Sequence, residues 1–334
     1  MPTMTQTIRW GIVGCGDVAE HKSGPALYQT PGSELVAVMR RDQAKAADFA
    51  RRHGATRWYS DIESLLADPE VNAVYVASPH GLHLTHVTQA AQAGKIVLCE
   101  KPMGTGTDEA QQIVDACKAY GVPLTVAYYR RFWPITQAIQ QLLAEGAIGQ
   151  VIQARVQLAD HFAGDPQRPW LTSHTQAGGG ALANAGSHWF DLVRFLLGQV
   201  VDVMAYCSSE AGGFEVDDTA VVQMRTAPGV LVSFASTWQS QTPINEIDLI
   251  GTTGRILAGP LSRGQLVLQR GATEPETMQY PRTGVAHREL LGELIPRLLA
   301  GQPSPVPGEE AVAVWRIMEA AYRSNAEGRR VRVG

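Results

Sequence analysis

The chain has 334 residues, 45% hydrophobic and 18% charged, and its 28 Lys and Arg against 32 Asp and Glu give a formal net charge of -4. At roughly 150 residues per domain this length suits about two domains, and an ordinary apolar fraction without like-charge blocks excludes a disordered chain. The slightly acidic balance lacks the clustered cations that bind nucleic acid, no apolar run reaches the roughly 18 to 20 residues that span a bilayer, and the partner expected is a small molecule.

The polar start, residues 1–7, carries no signal-peptide pattern, and Cys15, Cys99, Cys117 and Cys207 lie far apart with no CxxC pair. Both features read as a cytoplasmic protein with reduced thiols. In chain order, short apolar runs rich in β-branched residues predict strands at Ile8–Val13, Glu34–Met39, Ala73–Ala77, Ile96–Cys99 and Leu124–Ala127. Helix signals alternate with them: Asp42 ahead of an Ala-rich stretch ending at Gly54, Ser60 with Glu63 as a capping box, and Thr107 before Asp108 and Glu109. Strict alternation implies right-handed βαβ crossovers and a doubly wound parallel sheet over residues 1–125.

The rhythm changes after Tyr129. A helix is expected at Pro134–Glu145, a strand at Val151–Leu158, then a loop with Gly, Pro and Trp to Gly180, and a helix over Ala181–Leu197. Further strand patterns include Ala220–Met224 and Val230–Ala235 joined by a turn at Pro228-Gly229, and helices at His287–Ala300 and Glu309–Glu327 are expected to cover one face of the resulting sheet. The fold class predicted is α/β: an N-terminal Rossmann doubly wound parallel sheet, 1–125, plus a C-terminal α+β domain, 126–334, with a large open, mostly antiparallel sheet.

Between the first strand and the first helix lies Gly14-Cys15-Gly16-Asp17-Val18-Ala19, a GxGxxA sequence. Dinucleotide binding needs the first glycine for a tight turn, the second so that backbone amides approach a pyrophosphate, and a small third residue for close helix–strand packing. Gly14, Gly16, Asp17 and Val18 are therefore candidate cofactor-binding residues. The second strand ends Val38-Met39-Arg40-Arg41, with no acid before Asp42 to hold a free ribose 2′-hydroxyl. Guanidiniums at Arg40 and Arg41 suit a 2′-phosphate, so NADP is expected over NAD, with NAD possible as the alternative.

Open α/β sheets bind ligands at the carboxyl ends of their strands, where this chain places Ser78-Pro79 with His83, and Glu100-Lys101-Pro102. Ser78, Pro79, His83, Glu100 and Lys101 join the cofactor-binding candidates. The three histidines His80, His83 and His86 straddle a strand-to-helix turn without a completing Cys or acid, and no metal is expected.

At these motifs the chain resembles the glucose-fructose oxidoreductase and inositol dehydrogenase family, the Gfo/Idh/MocA group. The resemblance covers most of the sequence. Besides the loop at Gly14–Ala19 and Ser78-Pro79 with His83, it takes in Ala93-Gly94-Lys95 through Glu100-Lys101-Pro102, and Tyr129-Arg130-Arg131-Phe132. It continues through Gly146-Ala147-Ile148-Gly149 and Gly178-Gly179-Gly180-Ala181-Leu182, ending with His188, Asp191 and Arg194-Phe195-Leu196.

The resemblance implies hydride transfer on a secondary alcohol or ketone of a sugar, cyclitol or dihydrodiol. It also implies a homodimer or homotetramer, with Lys101 as catalytic lysine and His188 as catalytic histidine. The family's more familiar Asp-x-x-x-His pattern has Asn184 in its first position here. An amide can orient an imidazole but offers no counter-charge, so the proton work shifts toward Lys101, and Asp191 on the same helical stripe is expected to compensate in part. Tyr128, Arg131 and Trp170 are the substrate-binding candidates together with Lys101, Asn184 and His188, while Leu171 stands where the family often has Arg. The alternative from another class is a non-catalytic regulatory protein of the same fold that binds NADP and a sugar; no nucleic-acid or membrane partner is expected.

Overall fold

In the computed structural model, which describes residues 7–166, 168–281 and 284–334, the alternating pattern of the first part becomes a six-stranded sheet. Its elements are β1 (Ile8–Val13), α1 (Gly24–Gln29), β2 (Ser33–Met39), α2 (Gln43–His53), β3 (Arg57–Tyr59), α3 (Ile62–Ala67), β4 (Ala73–Val76), α4 (His83–Gln92), β5 (Ile96–Cys99), α5 (Thr107–Ala119) and β6 (Leu124–Val126). The order β3-β2-β1-β4-β5-β6 is parallel throughout. The chain winds from β1 to one edge and then returns to the other side of β1, so the winding reverses between β1 and β4, the switch point at whose carboxyl ends open α/β sheets bind ligands. All four residues of β4 are buried, as a strand covered on both faces requires.

Two local features differ from the sequence reading. β3 is an edge strand of three residues whose Arg57 and Trp58 are exposed, so it offers no apolar run to read. The cap of α3 is Asp61, which accepts the Ser64 N–H at 2.7 Å, rather than Ser60. Asp42 does cap α2, accepting the Lys45 N–H at 3.1 Å.

The chain continues through α6 (Pro134–Ala144), β7 (Val151–His161), α7 (His174–Ala177), α8 (Ala181–Asn184) and α9 (Gly186–Leu197). There follow β8 (Val200–Ser208), β9 (Thr219–Thr226), β10 (Leu231–Thr237), β11 (Gln239–Gly251), β12 (Gly254–Ala258), β13 (Gln265–Arg270) and β14 (Glu276–Gln279). The last elements are α10 (Arg288–Leu299), α11 (Gly308–Glu327) and β15 (Val331–Arg332). A nine-stranded sheet has the order β14-β13-β12-β11-β7-β10-β9-β8-β15, antiparallel except for the pairing of β7 with β10. Burial alternates along β9 and β10 as a one-sided sheet demands, and Ile152, Tyr206, Val221 and Leu231 are exposed on its strands.

The chain forms two compact units: residues up to Tyr129 together with Val285–Ala313, and Arg130–Gly284 together with Val314–Gly334. α10, expected on the second sheet, instead belongs to the first unit and packs on α1. Its apolar stripe, Leu290, Leu291, Leu294, Ile295 and Leu298, is buried, and Ile295 and Leu299 crowd Gly32 so closely that a Cβ there would lie 3.3 and 3.0 Å from them. The helix expected over Ala181–Leu197 is interrupted at Ala185, so Asn184 closes one helix and His188 rides on the next.

Candidate active site

The phosphate loop follows directly from β1. Gly14 and Cys15 donate their N–H groups to the Met39 carbonyl at 3.0 and 3.2 Å, folding the loop onto the end of β2. Gly14 has a φ of +90°, and a Cβ there would lie 2.8 Å from the Ser78 nitrogen, so the fold itself demands glycine. Gly16 differs. Among the described residues its Cβ would meet only the Gly14 carbonyl oxygen, at 4.0 Å, so no described neighbour requires glycine there. That open cradle at the start of a helical segment, with Asp17 and Val18 in its first turn, fits a dinucleotide pyrophosphate. Burial pushes the Cys15 thiol up to about 11, which leaves it inert in the loop.

Arg40, at the end of β2, reaches back to donate to the Cys15 carbonyl at 3.2 Å, while Arg41 is exposed. Asp42, the first carboxylate after that strand, caps α2 and lies 3.6 Å from the Lys45 ammonium. His83 is fully buried beneath the neighbouring loops. Its Nε2 lies 2.9 Å from the Ser78 carbonyl oxygen, and its Nδ1 lies 3.0 Å from that of Pro102 and 3.4 Å from the Gly104 N–H. Burial lowers the imidazole to about 4, so a neutral ring fixes the loops after β4 and β5 to each other. Ser78 also meets His86, Oγ to Nδ1, at 2.9 Å.

The Glu-Lys-Pro segment leaves the carboxyl end of β5. Glu100 is buried, and its Oε1 accepts from the Tyr75 hydroxyl at 2.5 Å and from His287 Nε2 at 2.8 Å, while Oε2 accepts the Lys101 N–H at 3.1 Å. Burial would raise this carboxyl, but the imidazole of His287, the charge of Lys101 and the hydrogen bonds bring it down to about 2. Glu100 thus stands as an anion within the protein, holding the backbone from which the half-buried Lys101 side chain departs.

In the second unit, Arg131 is clamped by Asp191, its Nε 2.9 and 3.0 Å from the two carboxylate oxygens and its Nη2 2.5 Å from one of them. Both Asp191 oxygens therefore serve the guanidinium. Arg130 lies over the rings of Trp133 and Trp189, at 5.6 and 5.7 Å from their centroids. Tyr128, from the first unit, is fully buried, Trp170 is half-buried in a 3-10 turn at Pro169–Thr172, and His188 is buried on α9.

Two contributors were absent from the sequence reading. Asp217 accepts from the N–H groups of Gly180 and Leu182 at 2.9 and 2.7 Å and from the Tyr322 hydroxyl at 2.7 Å, capping the short helix that ends at Asn184. His287 reaches Glu100 from 187 residues downstream. Neither belongs to a motif, and no local signal could have linked them to their partners. Among the described residues no three His, Cys, Asp or Glu side chains are grouped to hold a metal ion, and no helix is long and apolar enough to cross a membrane.

A parallel sheet of this order with a glycine loop after its first strand is the fold of a dinucleotide-binding domain. Residues 8–128 match the model of an oxidoreductase family with an NAD-binding Rossmann fold, and residues 136–257 match the GFO/IDH/MocA C-terminal domain. The chain belongs to the GFO/IDH/MocA oxidoreductase family. It is 34% identical over 322 residues to oxidoreductase P35 of Formosa agariphila, covering 95% of this chain and 98% of that protein. It is 33% identical over 249 residues to trans-1,2-dihydrobenzene-1,2-diol dehydrogenase of Mus musculus, covering 74% and 73% of the two chains. Among solved structures, a levoglucosan dehydrogenase in complex with NADH and levoglucosan shares the fold with a TM-score of 0.90 at 23% identity, over 98% of this chain and 100% of that one.

Proposed function

We propose that this protein is an NADP-preferring dehydrogenase or reductase acting on a secondary alcohol or ketone of a sugar, cyclitol or dihydrodiol, with Lys101 as the group that exchanges the proton. The observation that carries this reading lies within one sheet. The open cradle at Gly16 follows β1, and Lys101, anchored through its backbone by Glu100, follows β5. The nicotinamide, when bound, supplies or takes up the hydride. Lys101 as an ammonium gives a proton to a ketone oxygen, and as an amine takes one from a hydroxyl. His188 and Asn184 hold the substrate oxygen, and Tyr128, Arg131 and Trp170 contribute to substrate binding. The amide of Asn184 can orient a neighbour but offers no charge, and Asp191 is engaged by Arg131, so the proton step falls to Lys101.

Preference for NADP is supported by the charges after β2. Arg40 donates to the phosphate loop, Arg41 is exposed, and the first carboxylate after β2, Asp42, is occupied as a helix cap. Ser78, Pro79, His83 and Glu100 complete the proposed cofactor side by shaping the loops. The substrate class is supported by the named activity of the dihydrodiol relative and by the family itself. We place the protein in the cytoplasm as a homodimer or homotetramer; the free cysteines and the exposed apolar residues on the second sheet support this.

The test is Lys101→Ala, assayed with NADP against a panel of polyols, aldoses and diols, with NADPH binding followed separately by fluorescence. Loss of turnover with cofactor binding intact is the expected result. Turnover near that of the wild type would overturn the reading.

A further inference from the structure

The segment Val285–Ala313 returns to the first unit and carries His287 into its interior, where it is fully buried. Its Nε2 donates to Glu100 Oε1 at 2.8 Å, and its Nδ1 has no hydrogen-bond partner among the described residues. The Tyr129 ring packs against the imidazole with centroids 4.4 Å apart, and the Tyr75 ring meets it edge-on at 6.0 Å. We propose that His287 is a positioning residue for the reaction: through Glu100 it fixes the backbone of Lys101 and hence the point from which the proton-exchanging side chain is aimed. This rests on the assignment of the proton step to Lys101.

Glu100 connects the two. Its Oε1 is shared by Tyr75 and His287, and its Oε2 holds the Lys101 N–H. A carboxylate gripped at one oxygen by two donors has one orientation, and that orientation presents the other oxygen to the backbone of the next residue. With the His287 donor gone, Oε1 keeps, among the described residues, only the Tyr75 hydroxyl. The carboxylate is then free to turn about its last torsion, and the bond to Lys101 loses its fixed geometry.

Packing alone does not call for this arrangement. A buried pair of this kind is often replaceable by apolar side chains of similar volume without loss of stability, so its usefulness lies in the geometry that it specifies. The chain sets a histidine with one unused nitrogen among tyrosine rings, where a leucine would satisfy the core. Small errors in the placement of a reacting group are costly in rate, which gives that geometry its value.

The experiment compares His287→Leu, which removes the donor, with His287→Gln, whose side-chain amide can place an N–H near the position of Nε2. NADPH affinity is measured by fluorescence, turnover with NADP on the panel above, and hydrogen exchange of the Lys101 amide by NMR, with the Tyr75 amide of β4 as internal control. Expected for His287→Leu are a kcat lower by about 10- to 100-fold with KM and NADPH affinity little changed, and faster exchange at Lys101 but not at Tyr75. His287→Gln should recover most of both losses. If His287→Leu does not fold, His287→Gln is set against His287→Asn, whose shorter amide does not reach Glu100. Equal losses in the donor-bearing and donor-lacking variants, or an unchanged Lys101 amide in a folded donor-lacking variant, would overturn the proposal. Turnover by Lys101→Ala would instead overturn the assignment on which it rests, whereas an inactive Lys101→Ala beside a fully active His287→Leu would overturn the role of His287 alone.

Discussion

Asp191 holds the Arg131 guanidinium through both carboxylate oxygens, in a pair whose side chains are 9% and 1% exposed. Breaking such a pair from one side leaves a buried charge without its partner. Asp191→Asn should therefore cost about 3–5 kcal/mol of stability, whereas the double replacement Arg131→Met with Asp191→Leu should recover most of that loss. Urea denaturation of the three proteins measures the difference.

The two glycines of the phosphate loop should separate fold from function. Gly14→Ala forces a side chain onto the Ser78 backbone at positive φ and should destabilise by about 1–3 kcal/mol. Gly16→Ala enters open space and should change stability by less than about 0.5 kcal/mol, yet weaken NADPH binding by filling the cradle. Thermal melts with and without NADPH distinguish the two. Equal effects of both substitutions on the ligand-free melt would contradict this assignment.

Cofactor choice should reside at the end of β2. A charge-assisted bond to a 2′-phosphate contributes about 1.5–3 kcal/mol, so replacing Arg40 and Arg41 together by Ala should lower the NADP-to-NAD ratio of kcat/KM by roughly ten- to a hundredfold. Steady-state kinetics with both cofactors measure this ratio. An unchanged ratio would remove these arginines from cofactor selection.

Stability should fall with acid in two windows. His83 is lowered by burial from 6.5 to about 4, so the unfolded chain binds the proton first. Its contribution is present above about pH 6.5 and is lost as the pH falls toward 4, amounting to about 3 kcal/mol when fully developed. Glu100, brought from 4.5 to about 2 against the upward pull of its burial, follows the same sign between those values. Denaturation at a series of pH values should show His83→Gln flattening the upper window and Glu100→Gln the lower one.

Much of the first unit was legible because its chemistry is local. β1, the glycines after it and the Asp42 cap each sit within a few residues of what they act on, and the alternation of strand and helix signals implied a parallel sheet. Lys101 is singled out only by its neighbours and the family that they resemble, and its role belongs to the proposal. The rest depends on chain closure. Asp217 caps a helix formed some 37 residues earlier, His287 meets Glu100 across 187 residues, and β3 pairs along an edge with too few apolar side chains to announce a strand. α10 is strongly amphipathic, but an apolar stripe does not say which surface it will cover.

The return of Val285–Ala313 to the first unit also sets an order of events during synthesis. Glu100 leaves the ribosome long before His287 does, and at roughly 5–20 residues per second the 187 residues between them take about 10–40 s to appear. Through that interval the nascent sheet holds a carboxylate whose imidazole partner does not yet exist, and the surface that α10 will cover is bare. The nucleotide-binding unit begins before the second unit, yet it can be completed only after residues 130–284 of that second unit have been made.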